Sequence, residues 1–404
     1  MNAIGIVAEY NPFHTGHGYQ MAAARAALEE NAPVVAVMSG NWVQQARCAV
    51  ADKWTRARLA MLGGADLVLE LPTVYAMSSA EKFAQGAVEI LHATGLVSHL
   101  SFGSECGDAD KLSKLAAGLT SPEYLSALRA LTDSGLSFAA CRQKAAEQVF
   151  GEELGSLLST PNNNLGVEYI RALNALGSPI LPTTVVRKGA AHNTIRTDRP
   201  EFLSATQIRA MLCAGDFDGA KEWIVPGGAE LLEHADLPDL TRVERALLAK
   251  VRTMTASDWA VLPDSGAAEG LPQRLEKAGA QCTCMEEFFD LAKTKRYPHA
   301  RLRRLALWAW LGLRECDRPD HPPYIRVLGF NDRGQELLRQ MKKTAALPIV
   351  TKPAHARKLD EAGRALFELE SRCTDLYDLC YENIPAPGRE WRMDVVRMGG
   401  RENG

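Results

Sequence analysis

The chain contains no long hydrophobic run and no paired metal-binding cysteine motif, and these absences exclude several classes of protein. None of its apolar stretches approaches the ~18 residues that a membrane-spanning helix needs. Its beginning lacks the basic and apolar segments of a signal peptide. We therefore expect neither a membrane-spanning helix nor a signal peptide. Its nine cysteines include no pair of Cys-x-x-Cys elements, which argues against a zinc ribbon and predicts no metal site. We therefore expect a reduced, cytoplasmic setting.

The chain also lacks a strong excess of charge. Its formal net charge is −3 at pH 7, which does not mark a nucleic-acid-binding protein, although such an average can hide a local basic face. Hydrophobic residues make up 46% of the chain and charged residues 24%, as in ordinary globular proteins. A length of 404 residues favours two domains, and we expect them over residues 1–225 and 226–404.

Residues 4–17 are the most informative stretch of the sequence. An apolar run there is interrupted by Asn11 and Pro12, and a helix-forming sequence begins near His17. A strand, a tight turn and a helix start are typical of a phosphate-binding site, because the first helical turn has unpaired N–H groups and a positive dipole end. His14 and His17 are three residues apart, so their rings can converge above the helix start. Gly16 allows a ligand to approach the backbone closely.

Four apolar runs alternate with helix-forming segments over the first hundred residues, followed by a helical insertion over residues 108–150. This order predicts a parallel sheet with helices on both faces. Ligands bind beyond the carboxyl ends of such strands, and these ends are expected at residues 9–17, 39–41, 71–72 and 103–105. The expected fold class is α/β, with a Rossmann-like parallel sheet and a mostly helical C-terminal domain.

Two later segments add candidate anion-binding groups. A fifth strand is predicted over residues 179–186, and Arg187 and Lys188 follow it at once. These two cations either suit the oxygens of a triphosphate or belong to a solvated loop. Ser204 is expected to cap a helix whose first-turn amides point at an anion, with Arg209 about one turn further along.

A helix is also predicted to begin after Pro161, where Asn162 and Asn163 leave two interpretations open. Asparagine is a strong N-cap, and its amide both donates and accepts hydrogen bonds. One interpretation is therefore a capped helix after a loop. The other is that one of these amides binds an edge of adenine or ribose, and the residues alone favour neither.

Basic residues concentrate near Tyr297, in a segment that Pro298 divides between two predicted helices. Such side chains bind phosphate backbones and can stack on unpaired bases, although a run of charge is usually a solvated helix face. The six cations of this basic segment are Lys293, Lys295, Arg296, Arg301, Arg303 and Arg304.

Both ends of the first predicted domain resemble the HIGH-motif nucleotidyltransferase superfamily, which includes class I aminoacyl-tRNA synthetases. Pro-Phe-His-Thr-Gly-His at residues 12–17 contains its His-x-Gly-His signature. Leu-Ser-Ala-Thr-Gln-Ile-Arg at residues 203–209 is similar to its second signature, Ile-Ser-Ser-Thr-x-Ile-Arg, and keeps two hydroxyls and the arginine. Having both signatures indicates adenylyl transfer chemistry.

The whole chain is similar to the bacterial tRNA(Met) cytidine acetate ligase family. The similarity includes the opening Glu-Tyr-Asn-Pro-Phe-His-x-Gly-His and residues 38–44, 66–72, 102–105, 161–163, 293–297 and 326–330. One loop departs from the family pattern, which usually runs Arg-Gly-Glu-Pro after Val-Gln. Here the same place holds Gln45, Ala46, Arg47 and Cys48, so the resemblance assigns this divergent loop no role.

The resemblance implies that ATP and acetate form acetyl-adenylate and pyrophosphate, and that the acetyl group passes to N4 of the wobble cytidine of elongator tRNA(Met). It implies Mg²⁺ beside the triphosphate, catalytic roles for His14, His17, Arg187 and Lys188, and a tRNA contact at the basic segment. The ATP-binding residues that it implies are Val7, Ala8, Glu9, Tyr10, Asn11, Pro12, Phe13, His14, Thr15, Gly16, His17, Gly18, Tyr19, Gln20, Gly103, Asn162, Asn163, Arg187, Lys188, Ser204, Thr206 and Arg209.

Two other functions stay open at this point. One is a small-molecule adenylyltransferase acting on a phosphopantetheine or mononucleotide substrate, which leaves the second half of the chain unexplained. The other is a tRNA-binding or nucleotide-sensing protein without catalysis, which the intact His14 and His17 argue against. A pyrophosphate-exchange assay separates all three.

Overall fold

The structure is a computed structural model that describes residues 2–28, 30–132, 134–187 and 202–399. The strands in this part of the chain are β1 Ala3–Ala8, β2 Val34–Ser39, β3 Trp42–Val43, β4 Arg47–Cys48, β5 Leu67–Leu71, β6 Val97–Ser104, β7 Leu181–Val186, β8 Ile325–Phe330, β9 Ile349–Val350 and β10 Val396–Arg397.

The α-helices in the same residues are α1 Thr15–Leu28, α2 Lys53–Leu62, α3 Thr73–Ala76, α4 Ala80–Thr94, α5 Ala109–Gly118, α6 Pro122–Thr132, α7 Phe138–Phe150, α8 Glu152–Gly155, α9 Pro161–Ala175, α10 Ala205–Cys213, α11 Phe217–Lys221, α12 Gly228–Glu233, α13 Glu244–Thr253, α14 Ala256–Ala260, α15 Leu271–Gln281, α16 Met285–Ala292, α17 His299–Leu311, α18 Asp332–Thr344, α19 Pro353–Ala356, α20 Glu361–Asp378 and α21 Arg389–Arg392. Short 3₁₀ helices occupy Ser156–Ser159, Leu240–Val243, Ala267–Glu269 and Glu315–Asp317.

A mostly parallel sheet of eight strands forms the centre of the fold, in the order β10-β8-β5-β2-β1-β6-β7, with β9 beside β8. The five strands predicted from the first half of the sequence pair in parallel with one another, which confirms the predicted fold class. All six residues of β2 are buried, because a central parallel strand has both faces covered.

Alternate residues of β2 belong to separate apolar cores on the two faces of the sheet. Val35 and Val37 point into one core, while Val34, Ala36 and Met38 point into the other. This alternation follows from the two-residue period of a strand. It explains why the sequence reads as a continuous apolar run rather than as an alternating one.

The last quarter of the chain returns to this sheet. Strand β8 pairs antiparallel with β5, and β10 pairs parallel with β8. The sequence does not reveal this pairing, since an apolar strand does not specify its neighbour. A boundary at residue 225 therefore leaves three strands of the main sheet, β8, β9 and β10, in the second predicted domain, and the domain limits remain a prediction.

The remaining helices lie around the sheet. Residues 108–150 form α5, α6 and α7, which follow β6 in the chain. Helices α13 to α17 form a helical layer in which the rings of Trp259 and Phe288 stack with centroids 5.9 Å apart. The Trp308 indole of α17 donates to the Met77 carbonyl oxygen at 3.0 Å, which attaches this layer to the end of α3, the helix that follows β5. Within the part of the chain described, no helix combines the length and apolar character needed to cross a membrane.

Candidate active site

His14 and His17 lie together where β1 ends and α1 begins. Their ring centroids are 3.9 Å apart. The backbone N–H of His14 donates to Nδ1 of His17 at 3.2 Å, and the N–H of Gly16 donates to Nδ1 of His14 at 3.1 Å. Both Nδ1 atoms therefore act as acceptors. In a neutral imidazole the proton then sits on Nε2, which leaves each ring one donor for a ligand.

Both rings are neutral at physiological pH. Burial, together with the charges of Arg187 and Arg209, lowers the pKa of His14 to about 4. Burial and the neighbouring His14 and Arg187 hold the pKa of His17 well below its usual value. The two histidines therefore offer N–H donors to an anion without carrying charge themselves.

Gly16 is required by the ring of His14. A Cβ at this position would lie 2.9 Å from Cε1 and 3.0 Å from Nδ1 of that ring, closer than carbon atoms pack. From the sequence, Gly16 was expected to let a ligand approach the backbone closely. In the structure, the missing Cβ of Gly16 leaves room for the ring of His14. Gly18, two residues later, has no atom within 4 Å of such a Cβ.

Tyr10 and Phe13 pack their rings against the ring of His17. Their side chains are buried, and their ring centroids lie 5.0 Å and 5.4 Å from that of His17. Tyr10 has a positive φ of 44°, a conformation that costs free energy in a non-glycine residue and is concentrated at functional sites. Both residues thus act through the position of His17, and their contact with ATP remains a prediction.

Helix α10 lies against the histidine motif. Ser204 caps it: its Oγ accepts from the Gln207 N–H at 3.3 Å, and its own N–H donates to Gln207 Oε1 at 3.0 Å. This reciprocal capping box stabilises the helix start. The rings of Phe202, just before it, and Tyr19 of α1 have centroids 5.4 Å apart. The two predicted anion-binding helix starts are therefore neighbours in space.

Arg209 fixes this arrangement. Its guanidinium donates to the Asn11 carbonyl oxygen at 2.7 Å and to Thr206 Oγ1 at 3.0 Å. The amide of Asn11 in turn accepts from the Val50 N–H at 2.7 Å. Arg209 was expected to bind phosphate, and that role remains a prediction. In the structure it joins α10 to the turn between β1 and α1.

Arg187 approaches the histidines from the end of β7. Its N–H donates to the Ser104 carbonyl oxygen at 3.0 Å, and its side-chain stem crosses Gly103, where a Cβ would lie 3.1 Å from Cγ of Arg187. One guanidinium nitrogen donates to Asn162 Oδ1 at 3.3 Å. Arg187 is exposed and so retains donors for a ligand. Lys188, predicted beside it, lies outside the described residues.

The two asparagines at the start of α9 have different partners. Glu105 accepts from the backbone N–H groups of Asn162 at 3.2 Å and Asn163 at 2.8 Å, so a carboxylate closes this helix start. Partial burial raises the pKa of Glu105, but the hydrogen bond from the Asn162 side chain, together with the two backbone bonds, outweighs it and the net pKa is lowered. Asn163 is buried, and its Oδ1 accepts from the Glu105 and Cys106 N–H groups at 3.0 Å and 3.1 Å. Asn163 thus holds the loop, while the partly buried Asn162 donates its Nδ2–H to Glu105 at 2.6 Å and accepts from Arg187.

Two buried cations of α2 were missed by the sequence analysis. Arg56 donates to backbone carbonyls at the ends of β1 and β2, those of Glu9 at 2.7 Å, Ser39 at 3.0 Å and Gly40. Lys53 contacts carboxylate oxygens of Glu70 and Glu390, each at 2.6 Å. Charged helix residues are usually exposed, which is why neither was selected. The available signal was their spacing of three, which places both on one face of α2.

Glu9 completes the wall beside the histidines. Its Oε1 accepts from the Gln44 N–H at 2.7 Å, which joins the end of β1 to the hairpin of β3 and β4. Burial raises the pKa of Glu9, although Arg209 and Arg56 oppose this effect. Gln20, on α1, donates to the Ser101 carbonyl oxygen at 3.4 Å. Val7 and Ala8, the remaining predicted residues of this strand, are only partly buried at its carboxyl end.

The basic segment lies in the helical layer, between α16 and α17. Lys293, Lys295 and Arg296 are exposed. By contrast, Arg301 is bound to Glu269 at 3.2 Å and donates to the Asp264 carbonyl oxygen at 2.9 Å. Burial lowers the pKa of Arg304. The six cations therefore do not form one uniform surface: three of them are exposed, and at least two serve the packing of the layer.

Comparisons with known proteins identify one family. A family model described as HIGH Nucleotidyl Transferase matches residues 1–390. The chain is 38% identical to the tRNA(Met) cytidine acetate ligase of Caldanaerobacter subterraneus subsp. tengcongensis, over 98% of this chain and 100% of that protein. It is 34% identical to the protein of that name from Acetivibrio thermocellus, with the same coverage of 98% and 100%.

Solved structures are similar over the whole length as well. Thermotoga maritima TmcAL bound with alpha-thio ATP superimposes with a TM-score of 0.90 at 31% identity, covering 99% of this chain and 100% of that one. The apo form of the same protein gives a TM-score of 0.92 at 32% identity, with the same coverage of 99% and 100%.

Proposed function

Because the chain belongs to the tRNA(Met) cytidine acetate ligase family of HIGH nucleotidyl transferases, we propose that it activates acetate with ATP and transfers the acetyl group to N4 of the wobble cytidine of elongator tRNA(Met). The observation that supports the proposal most strongly is that His14, His17, Arg187 and the start of α10 lie together at one site. Because its proposed substrate is a tRNA, we expect the protein to act in the cytoplasm.

The first step is attack by a carboxylate oxygen of acetate on the α-phosphorus of ATP. A new P–O bond forms, the bond to the β-phosphate bridging oxygen breaks, and pyrophosphate leaves with that electron pair. Acetate is itself the nucleophile, so no serine or cysteine is needed. The protein's contribution is to position the reactants and to stabilise the charge that develops on the phosphate oxygens.

Three groups suit this stabilisation. His14 and His17 offer their Nε2–H donors, and Arg187 supplies a fixed charge that can bind two oxygens at once. Neutral rings suit this reaction, because they donate hydrogen bonds to the phosphate oxygens and leave no unpaired positive charge behind when pyrophosphate departs. Lys188 is proposed to act with Arg187 on the triphosphate.

The second step transfers the acetyl group. The exocyclic N4 amine of cytidine attacks the carbonyl carbon of acetyl-adenylate, a C–N bond forms, and the C–O bond to AMP breaks with loss of a proton from nitrogen. AMP is a good leaving group, whereas acetate alone has an oxide as its leaving group. The mixed anhydride must be shielded from water until the tRNA is bound.

Mg²⁺ is proposed as a companion of the triphosphate. Within the described residues there is no cluster of three histidine, cysteine, aspartate or glutamate side chains that could hold a metal. Glu105, the carboxylate beside Arg187, is already bound to the start of α9. These residues fit a metal that is carried by ATP and its waters, as Mg²⁺ usually is. Its chemistry there is to neutralise charge on the phosphate oxygens.

Pyrophosphate exchange into ATP tests the proposal. We expect exchange that depends on acetate and requires no RNA, and loss of this exchange in His17→Ala with unchanged binding of tRNA. Exchange supported by 4′-phosphopantetheine or nicotinamide mononucleotide instead of acetate would identify a small-molecule adenylyltransferase. Absence of exchange with any of these substrates would leave a binding protein.

A further inference from the structure

A cavity of about 720 Å³ opens beside the adenylation site, and the mechanism above leaves it unused. It lies between the hairpin of β3 and β4, helix α10, and the helical layer of α13, α16 and α17. Arg209 and Thr206 form part of its wall and also link α10 to the histidine turn. Its volume is within the ~300–1,000 Å³ of small-molecule sites. The cavity and the adenylation site therefore share one wall.

The wall of the cavity is largely apolar on the side of the helical layer. Phe289 presents an aromatic ring there, and the Arg303 guanidinium lies over it, 5.9 Å from the centroid. A planar cation paired with an aromatic ring is a surface on which nucleic-acid bases stack. The aliphatic and thioether side chains around this pair are those of Leu212, Leu237, Leu247, Met285 and Leu307.

Four arginines line the cavity. Arg242 lies 3.6 Å from a carboxylate oxygen of Glu382, and the other three are Arg47, Arg209 and Arg303. Burial and the nearby charge of Arg47 lower the pKa of Arg209, and the same two causes lower the pKa of Arg303. The side chain of Arg47 itself makes no hydrogen bond or ion pair with the described part of the chain. Like charges gathered in this way repel one another, and an anion that enters between them removes the repulsion.

The carboxylates of the cavity wall do not fill that role. Asp239 Oδ1 accepts from the Thr241 N–H at 2.9 Å. Glu244 Oε1 accepts from the Met285 N–H at 2.9 Å. Both acids are thus engaged with the backbone, and neither forms an ion pair with Arg47 or Arg303. The chemistry of the cavity calls for a ligand with a flat apolar part and an anionic part.

We propose that this cavity binds one nucleotide of the RNA substrate, with its base against Phe289, Arg303 and the aliphatic side chains and its phosphate at Arg47. The inference rests on the proposed function, because it is acetyl transfer that requires a nucleotide next to the adenylate. It also gives a role to the divergent loop of residues 45–48, since Arg47 belongs to β4 of the hairpin wall.

A cavity-filling substitution tests the site without touching the charged residues. Ala210 of α10 is exposed and lines the cavity, so Ala210→Trp places an indole in the space without entering the core. Ala249→Trp of α13 is the matched control, because Ala249 is exposed and lies outside the wall. We expect Ala210→Trp to weaken binding of an elongator tRNA(Met) transcript at least tenfold, while Ala249→Trp leaves it within twofold.

Removal of one charge gives an independent test. Arg47→Ala should weaken binding of the transcript about tenfold and make the slope of log K against log salt shallower by about one unit, as expected when one phosphate is no longer neutralised. Arg245→Ala is the control, because Arg245 of α13 is exposed, does not line the cavity and removes the same charge. Unchanged tRNA affinity in both Arg47→Ala and Ala210→Trp would overturn the proposal.

Acetate-dependent pyrophosphate exchange without RNA separates this inference from the proposed function. If the wild-type chain lacks exchange, the proposed function fails, yet the tRNA affinities still decide whether the cavity binds RNA. Competition by free cytidine monophosphate shows whether the cavity binds a nucleotide within RNA or a free nucleotide. Weak competition by millimolar cytidine monophosphate against the transcript supports an RNA site, whereas tight binding of the free nucleotide with unchanged tRNA affinity in the variants would overturn it.

Discussion

At the scale of single residues, the chemistry of the site depends on which nitrogen of each histidine carries the proton. The spacing of His14 and His17 was readable from the sequence, and so was their place after a strand. Their tautomers were not, because these follow from backbone N–H groups that donate to both Nδ1 atoms. Their neutral state follows from burial and nearby cations, which only the fold brings together.

The neutral state of the two rings can be measured by NMR. We expect the ring resonances of His14 and His17 to stay constant from about pH 8 down to about pH 5. An unperturbed histidine, by contrast, titrates within this range, with a pKa near 6.5. The reason is that burial lowers the pKa of His14 to about 4 and that of His17 well below its usual value. His14→Gln and His17→Gln identify the two signals among the nine histidines. A midpoint between pH 6 and pH 7 for either ring would contradict the assignment.

A matched pair of glycine substitutions tests the packing of the motif. Gly16→Ala places a Cβ 2.9 Å from the His14 ring, so we expect acetate-dependent exchange to fall about a hundredfold through misplacement of that ring. Gly18→Ala meets no atom within 4 Å, and we expect it to raise the free energy of unfolding by about 0.5–1 kcal/mol, as alanine replaces glycine inside α1. Exchange kinetics and urea unfolding report the two effects. Equal exchange rates in Gly16→Ala and the wild type would refute the packing role.

At the scale of elements, two helix starts that are far apart in sequence meet over one turn. The sequence predicted both starts, because each carries its own capping residues and signature. It did not predict the link between them, in which Arg209 donates to the Asn11 carbonyl oxygen, since a long side chain can reach either a ligand or a neighbouring turn. The predicted basic segment shows the same limit: the helices and the dividing proline are local, whereas the partner of Arg301 is set by the packing of the layer.

The exposed part of the basic segment is expected to contact tRNA. Lys295→Ala combined with Arg296→Ala should lower tRNA affinity and decrease the salt slope by about one unit for each phosphate that these side chains neutralise in the wild type. Acetate-dependent exchange should stay unchanged, because adenylation needs no RNA. Lys342→Ala with Lys343→Ala is the control, since these two exposed cations lie on α18. If both double variants bind tRNA as tightly as the wild type, the basic segment is a solvated face.

At the scale of the whole molecule, buried ion pairs attach the last part of the chain to the central sheet. Lys53 of α2 lies between Glu70 of β5 and Glu390 of α21, at 2.6 Å from each, and Arg326 of β8 is 3.4 Å from Glu390. Burial lowers the pKa of Lys53, but the two carboxylates outweigh it and the net pKa is raised. A sequence gives no sign of such a cluster, because its members lie up to 337 positions apart and each belongs to a type that is usually exposed.

Removal of the central cation should destabilise the fold. Lys53→Met leaves Glu70 without its cation and leaves Glu390 with Arg326 alone, and losing one member of a buried ion pair costs about 3–5 kcal/mol. Urea unfolding of Lys53→Met, and of Lys53→Met with Glu70→Gln, measures the effect. The double variant should recover part of the loss, because it removes the orphaned charge. A Lys53→Met chain as stable as the wild type would show that the cluster does not hold the molecule together.

The family and the fold class were predictable from the sequence and are confirmed. Their signals are local: apolar strands, capped helices and two signatures. What the sequence did not give depends on contacts between distant segments, namely the antiparallel pairing of β8 with β5 and the buried roles of Lys53 and Arg56. The cavity beside the divergent loop also depends on such contacts, because its wall is assembled from five separate parts of the chain.

The central claim is that a carboxylate oxygen attacks the α-phosphorus of a nucleotide held between the histidine turn and α10. The fate of that oxygen tests it most directly. With acetate labelled with oxygen-18 in both carboxyl positions, unlabelled ATP, unlabelled water and elongator tRNA(Met), mass spectrometry of the released AMP should find one oxygen-18 atom in each molecule. AMP without the label, formed alongside acetylated tRNA, would contradict the claim.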